Sequence, residues 1–308
     1  MLISTRGALD SSIQPQATDF ADKWRPIAHD KVHWLGAYEK RFMSVVLGLK
    51  LALVPSLIGG VTLVGRRWGP SVAGWLSAFP VVSAPILFFI ALEQGSSFAA
   101  NAAAATLSAV LAILVFGISY AWAATRFSWG ISLVAGFATY LVAVICLSLW
   151  APTLFVAAAA VFSALLVAPM LFPVLAISAT TSSARANDIY LRMVAGAVLV
   201  LLVTHFSSRL GPQVSGVFAM FPVMSSVLVV FSHRHSGAGF AVSLLRGMVL
   251  GYYAFGIFCL VLSLALPPLG IALAFVASLA CAVLIQAASR IYLRRTQQGA
   301  PSRQSTAR

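Results

Sequence analysis

Charged residues are scarce in this chain, and acidic residues are the scarcest. Only 9% of the 308 residues are charged, against about 25% in a typical soluble domain. Five of the seven acidic residues precede residue 43, which leaves Glu93 and Asp188 for the rest of the chain. With 60% apolar residues and a mean hydropathy of +0.96, this composition excludes a soluble domain and predicts an integral membrane protein.

The signatures of common catalytic and metal sites are also missing. The sequence contains no G-x-S-x-G, no H-E-x-x-H, no Walker loop and no paired carboxylates. Its three cysteines, Cys146, Cys259 and Cys281, are too dispersed for a metal site or a disulfide framework. Residues 233–235 (His-Arg-His) lack an acidic or cysteine neighbour and are interpreted as a solvated turn. We predict a protein that is not an enzyme and holds no cofactor or metal.

Long apolar runs make up most of the chain, and each is near the roughly 20 residues that a helix needs to cross a bilayer. Helix is the expected state, because open strands cannot satisfy their backbone in lipid. Pro70 and Pro212 suit the first position of a helix, and Gly95 and Gly237 are expected in turns. The nine predicted transmembrane helices are residues 43–64, 70–92, 98–123, 128–150, 154–178, 188–207, 212–233, 240–265 and 268–292.

One stretch of the sequence occurs twice. Residues 67–99 align with residues 209–241 without a gap, since Gly69 to Gly211 and Phe79 to Phe221 are both 142 positions apart. Both copies contain R-x-G-P-x-V-x-G-x4-F-P-V-x-S. Shared apolar composition would not keep Gly, Pro, Ser and Arg in register, so the pattern indicates internal duplication.

The offset places the first four predicted helices on the last four and leaves the fifth as a connector. An odd number of crossings then separates equivalent helices, so the second copy enters the membrane upside down. We predict an all-α, 4+1+4 architecture with inverted-topology repeats. Its parts are a polar extension (1–42, with Met43 as an alternative start), repeat 1 (43–150), the connector (151–180), repeat 2 (185–292) and a basic tail (293–308).

The basic residues lie mainly on one predicted side of the membrane. The loops at 93–97, 150–153 and 266–269 contain no Lys or Arg, whereas loops on the opposite side and the tail are rich in Arg. The positive-inside rule then places the C-terminus in the cytoplasm and the N-terminus outside. It also explains the net charge of +13 without nucleic acid. The Arg- and Ala-rich composition is typical of bacteria, so we predict a bacterial inner (cytoplasmic) membrane protein.

The pairs Phe79-Pro80 and Phe221-Pro222 lie near the middle of the second and seventh predicted helices. A proline there removes a backbone hydrogen bond and leaves a carbonyl without its usual partner. Matched interruptions in two inverted halves point to the central site of a transporter. Ser83 and Ser225, one turn later, are expected to present hydroxyls there. The alternative is that the prolines only bend the helices for packing and the serines bond to the backbone.

Lys50 and Arg192 are also 142 positions apart, each inside the first helix of its repeat. Insertion of a cation at the centre of a membrane helix costs about 2.5–3.5 kcal/mol. One interpretation is therefore that Lys50 and Arg192 attract an anion. The alternatives are snorkelling to headgroups and, for Arg192, an ion pair with Asp188 four residues earlier. The shortage of central carboxylates argues against a carboxylate-driven antiporter.

The G-x4-F-P segment after a short basic loop, Gly74 to Pro80 and again Gly216 to Pro222, resembles the small four-helix bacterial membrane proteins of the GlpM type. The resemblance covers only this short motif in each repeat. It implies a fused, duplicated form of a unit that elsewhere assembles as antiparallel pairs, and it supplies no substrate.

The sequence thus favours a secondary transporter or flippase of a small anionic solute or lipid-linked phosphate. The alternative is a non-transporting membrane scaffold or assembly protein. The expected partners are membrane lipid and the anionic substrate, and homo-oligomerisation is left open. The predicted site lies near the midplane at the repeat interface and uses Phe79, Pro80, Ser83, Phe221, Pro222, Ser225, Lys50 and Arg192.

Overall fold

The computed structural model describes residues 47–49, 51–150, 152–176, 186–209 and 222–298. Every regular element within these ranges is a helix. The chain divides into two units, residues 1–49 and 50–308, and only residues 47–49 of the first are described. The predicted N-terminal extension, Lys50, Phe221 and the end of the basic tail lie outside the described residues.

Eight helices follow one another in the described part of the chain. In order they are α1 (Leu47–Trp68), α2 (Pro70–Ser77), α3 (Ser83–Gln94), α4 (Ser96–Ala123), α5 (Trp129–Trp150), α6 (Leu154–Leu171), α7 (Ala186–Arg209) and α8 (Val223–Gln298). Gly237 and Gly270 have non-helical backbone inside α8. They divide it into three segments, which are named α8a (223–236), α8b (238–269) and α8c (271–298).

Five of these helices, α1, α4, α5, α6 and α8, are long and apolar enough to cross a membrane. Large apolar side chains cover much of the outer surface, with Leu149 83% exposed on α5 and Met170 84% exposed on α6. An apolar surface of this extent suits lipid rather than water. The all-helical membrane class is therefore confirmed, while the count of nine crossings and the inverted arrangement remain predictions.

The second predicted helix, residues 70–92, is broken into α2 and α3. Pro70 occupies the predicted position at the start of α2, but residues 78–82 form turns around Phe79 and Pro80. The structure thus contains a gap of five residues where the sequence indicated a kink. The proline explains it, because a missing N–H and a ring clash both oppose continuation of the helix.

The connector helix α6 is shorter than the predicted run of 154–178. It ends at Leu171, and Phe172 has extended backbone at φ −80° and ψ 138°. Pro173 accounts for this ending, since a residue before proline disfavours the helical region. The carbonyl of Pro169 would have bonded to an N–H at 173, and it instead accepts a hydrogen bond from Arg246 Nη2 on α8b at 3.2 Å.

α2 packs against α8b so closely that the two backbones touch. A Cβ at Gly74 would overlap the Leu244 carbonyl oxygen, and one at Gly251 would lie 2.6 Å from the Ala78 Cβ. Across the same contact, Ser71 Oγ and Ser243 Oγ share a hydrogen bond of 2.9 Å. Small residues let helices approach in this way in a membrane protein, and here they hold α2 against α8b.

Candidate functional site

The break between α2 and α3 changes which backbone groups are paired. Pro80 has no N–H to give to the Leu76 carbonyl, and the N–H of Phe79 binds that oxygen instead, at 3.2 Å. In a continuous helix the Phe79 N–H would bind the carbonyl of Trp75, four residues earlier. The Trp75 carbonyl therefore loses its regular partner at a buried position.

Gln286 of α8c supplies the replacement partner. Its Nε2 donates to the Trp75 carbonyl at 2.9 Å. The Trp75 indole Nε1 donates to Ser289 Oγ at 2.8 Å, and Ser289 Oγ donates to the Gln286 carbonyl at 2.9 Å. The first two bonds attach α8c to the end of α2, and the third lies within α8c. The backbone disruption caused by Pro80 is thus compensated by a side chain 211 positions away in sequence.

The other end of the Gln286 amide remains unpaired. Gln286 is only 7% exposed, and no donor among the described residues lies within hydrogen-bond distance of its buried Oε1. Leaving a buried acceptor unmade is costly, and such atoms in folded proteins usually have a reason. This oxygen is therefore a buried acceptor, close to the helix break, that is left without a hydrogen-bond partner.

A groove of about 510 Å³ lies beside this network, between α2 and α8c. Its size falls within the roughly 300–1,000 Å³ of typical ligand sites. Phe79 lies at the broken end of α2, and the exposed Arg290 follows Gln286 by one helical turn. The groove is lined by Trp75, Leu76, Phe79, Val283, Gln286, Ala287, Arg290 and Ile291.

The second Phe-Pro pair is described only from Pro222 onward. The N–H of Ser226 binds the Pro222 carbonyl at 2.9 Å, and the N–H of Ala84 binds the Pro80 carbonyl at 2.9 Å. Positions 84 and 226 are 142 apart, so the turn after each proline has the same hydrogen bond. Because Phe221 lies outside the described residues, a meeting of the two Phe-Pro pairs stays a prediction.

The two predicted serines have different surroundings. Ser225 Oγ lies 3.3 Å from Tyr252 Oη and lines a cavity of about 10 Å³, near the minimum that can hold a single water molecule. Ser83 Oγ is buried, and no hydrogen-bond partner for it is found in the described part of the chain. Phe79 and Ser225 therefore line separate cavities.

The predicted cation Arg192 is buried in an ion pair. Its Nε and Nη2 donate to Asp188 Oδ2 at 2.9 and 2.8 Å, and the residue is 5% exposed. Its guanidinium also lies over the Phe231 ring, 5.4 Å from the centroid. The helical ion pair that the sequence offered as an alternative is thus confirmed. Lys50, the equivalent position, lies outside the described residues.

The interpretation of residues 233–235 as a solvated turn is wrong. They lie inside helical α8a, and only Arg234 is exposed. His233 Nδ1 is 3.1 Å from Tyr120 Oη. His235 Nε2 is 3.4 Å from Asp188 Oδ1, and this approach does not have hydrogen-bond geometry. The acidic neighbour that the sequence lacked comes from α7, 47 positions earlier.

Sequence reasoning missed the residues that surround the groove beside Phe79. Trp75 and Arg290 have ordinary positions near helix ends, but Gln286 carried a usable signal. It is an amide inside the apolar run 268–292, and polar side chains inside membrane segments are rare and usually paired. Among the described residues there is no group of three His, Cys, Asp or Glu that could hold a metal ion.

Comparisons with known proteins found no match. No protein-family model, no curated protein and no solved structure matches the chain.

Proposed function

We propose that the chain is a secondary transporter or flippase of a small anionic solute or lipid-linked phosphate. The observation that carries the proposal is the helix break at Phe79-Pro80, which opens onto a groove with an unpaired buried amide oxygen. Broken helices of this kind place unpaired backbone and polar groups at membrane depth, where transporters bind their substrates. The break in α2 is stabilised by Gln286 of α8c. Its side-chain amide bonds to the Trp75 carbonyl, which the break leaves without its helical partner.

The inverted-repeat arrangement belongs to the same proposal. Gly95 has φ 84° and ψ 168°, and Gly237, 142 positions later, has φ 84° and ψ 169°. The matched hydrogen bonds after Pro80 and Pro222 have the same spacing. Equal backbone geometry at equal spacing supports two copies of one unit, as the duplicated sequence predicts.

The residue roles in the proposal differ from those expected of the sequence. The charge of Arg192 is neutralised by Asp188, so we assign attraction of the anion to the exposed Arg290 at the groove. Phe79 and Pro80 keep their place, and Trp75 and Gln286 join them. Lys50, Phe221, Pro222, Ser83 and Ser225 remain predicted contributors to the site.

Replacement of both Pro80 and Pro222 by Ala tests the transport proposal. Alanine restores an N–H and favours a continuous helix, so the break should close and transport should be lost while folded protein remains in the membrane. Proteoliposomes report the result in two ways, through flux of radiolabelled inorganic phosphate and through flipping of a fluorescent phosphatidate. Pro55→Ala in α1, outside the repeated motif, is the matched control. Unchanged flux of both probes in the double variant contradicts the proposal.

A membrane scaffold or assembly protein is the second candidate. The backbone contact between Gly74 and α8b favours it, because such tight packing is also what a rigid assembly platform needs. Accessibility separates the two functions. Ser83→Cys and Ser225→Cys should react with a membrane-impermeant thiol reagent if water reaches the site during transport, and inert cysteines at both positions favour the scaffold.

A further inference from the structure

We propose that the groove between α2 and α8c binds a lysophospholipid, a single-chain amphiphile with a phosphate and a free hydroxyl. The inference rests on the proposed function and names its substrate class. It follows from three features of the groove: its depth in the membrane, the cation at one end and the unpaired acceptor beside it.

The depth follows from helix geometry. Arg290 lies 20 residues after Gly270, a distance of about 30 Å along α8c, which equals the thickness of the hydrocarbon core. The predicted span 268–292 places Gly270 near one edge of the core, which places Arg290 near the other and Gln286 about 6 Å inside it. α2 gives a similar depth for this network. Pro70 begins α2, and Trp75, which bonds to Gln286, lies five residues or roughly 7.5 Å after it.

The groove therefore covers one leaflet. α2 ends at Ser77, seven residues or roughly 10 Å after Pro70, so Phe79, in the turn that follows, lies toward the middle of a core about 30 Å thick. Arg290 marks the headgroup end and Phe79 the midplane end, with the apolar Leu76 and Val283 between them. An apolar wall with one cation at headgroup depth complements a lipid chain with an anionic head.

Gln286 separates a lysophospholipid from an ordinary diacyl lipid. Its unpaired Oε1 is an acceptor about one helical turn deeper than Arg290. A diacyl phosphatidate has only ester oxygens, which are acceptors, at that depth. A lysophosphatidate carries a free hydroxyl on the carbon next to its phosphorylated carbon, and a hydroxyl can donate. Gln286 forms part of the groove wall, and the proposal requires its buried oxygen to turn toward the bound molecule.

Equilibrium binding to the purified full-length protein in neutral detergent tests the assignment. The probe is radiolabelled oleoyl lysophosphatidate, and the competitors are its analogue without the hydroxyl, dioleoyl phosphatidate and inorganic phosphate. We expect the analogue to bind roughly 2- to 12-fold more weakly, as for one lost neutral hydrogen bond. Inorganic phosphate, without a chain, should not compete. Equal binding of the probe and the analogue overturns the inference.

Two variants assign the contacts. Gln286→Met should lower affinity for the probe but not for the hydroxyl-free analogue, so that the two bind equally. Arg290→Gln should weaken both by an amount on the order of tenfold. The exposed Gln94→Met and Arg126→Gln are the matched controls and should bind like the unmodified protein. If Arg290→Gln binds the probe as tightly as they do, Arg290 does not hold the phosphate and the inference is overturned.

Gln286→Met also removes the bond to Trp75, so Ser289→Ala provides a second comparison. This variant loosens the same contact but keeps the amide, and it should retain the preference for the hydroxyl. Loss of that preference in Ser289→Ala shows that helix attachment, not the Gln286 oxygen, causes it. Binding with the expected preference but no transport of lipid or phosphate contradicts the transport proposal alone. Transport without any preference for lysophosphatidate contradicts the inference alone.

Discussion

Asp188 faces three basic side chains from three different helices. Arg192 on its own helix binds Oδ2, Arg66 of α1 lies 3.8 Å from the same oxygen, and His235 of α8a lies 3.4 Å from Oδ1. Asp188 is 7% exposed. One carboxylate thus links α1, α7 and α8a, and it neutralises the buried Arg192.

Removal of this carboxylate should destabilise the protein strongly. Asp188→Ala leaves the buried Arg192 cation without its partner, and loss of one member of a buried pair costs roughly 3–5 kcal/mol. The measurement is the free energy of unfolding in a detergent titration. The double variant Asp188→Ala with Arg192→Met should recover much of the loss, since no uncompensated charge remains. A single variant as stable as the unmodified protein contradicts the proposed role of the pair.

At the scale of the helices, α2 depends on the missing Cβ of Gly74. A methyl group there meets the Leu244 carbonyl oxygen and lies 2.9 Å from the Met248 backbone N. Gly74→Ala must therefore push α2 away from α8b, at a cost of roughly 1–3 kcal/mol. Gly60→Ala in α1, where no atom lies within 4 Å of the added Cβ, should be neutral or slightly stabilising. Thermal unfolding of the two variants compares them, and equal melting temperatures contradict the close contact.

The helix junctions at Gly95 and Gly237 provide a second test at the scale of the helices. Their φ of 84° with ψ near 168° is a region that essentially only glycine adopts, and another residue there costs about 1–3 kcal/mol. Gly95→Ala and Gly237→Ala should lose similar stability because their backbone is the same. Asn should rescue neither, since it tolerates the left-handed helical region rather than this one. A large difference in stability between the two alanine variants argues against equivalent junctions.

The helices show which features were predictable from the sequence and which were not. The start of α2 at Pro70 and the disruption at Pro80 follow from local chemistry, because proline acts on its own backbone. The bond from Gln286 to Trp75 and the contact of His235 with Asp188 depend on which helices pack together. Sequence separations of 211 and 47 residues leave no local pattern for such pairs. The polar character of Gln286 was visible, but its partner was not.

At the scale of the whole molecule, the duplicated motif predicts that its two copies run in opposite directions across the membrane. Five predicted crossings separate Gly95 from Gly237, although their backbone conformations agree. An odd number of crossings places equivalent residues on opposite sides. The same local structure would then face both compartments, which is the symmetry that alternating access requires of inverted repeats.

Reporter fusions at residues 95, 126, 152 and 237 test this claim directly. A periplasmic reporter should be active at 95 and 152, and a cytoplasmic reporter at 126 and 237, because the Arg-rich loops stay inside. Two kinds of failure have different meanings. A cytoplasmic signal at 95 with a periplasmic signal at 237 reverses the orientation but keeps the inversion. Signals on the same side at 95 and 237 contradict the inversion itself, and the Phe-Pro pairs could not then form two symmetric halves of one site.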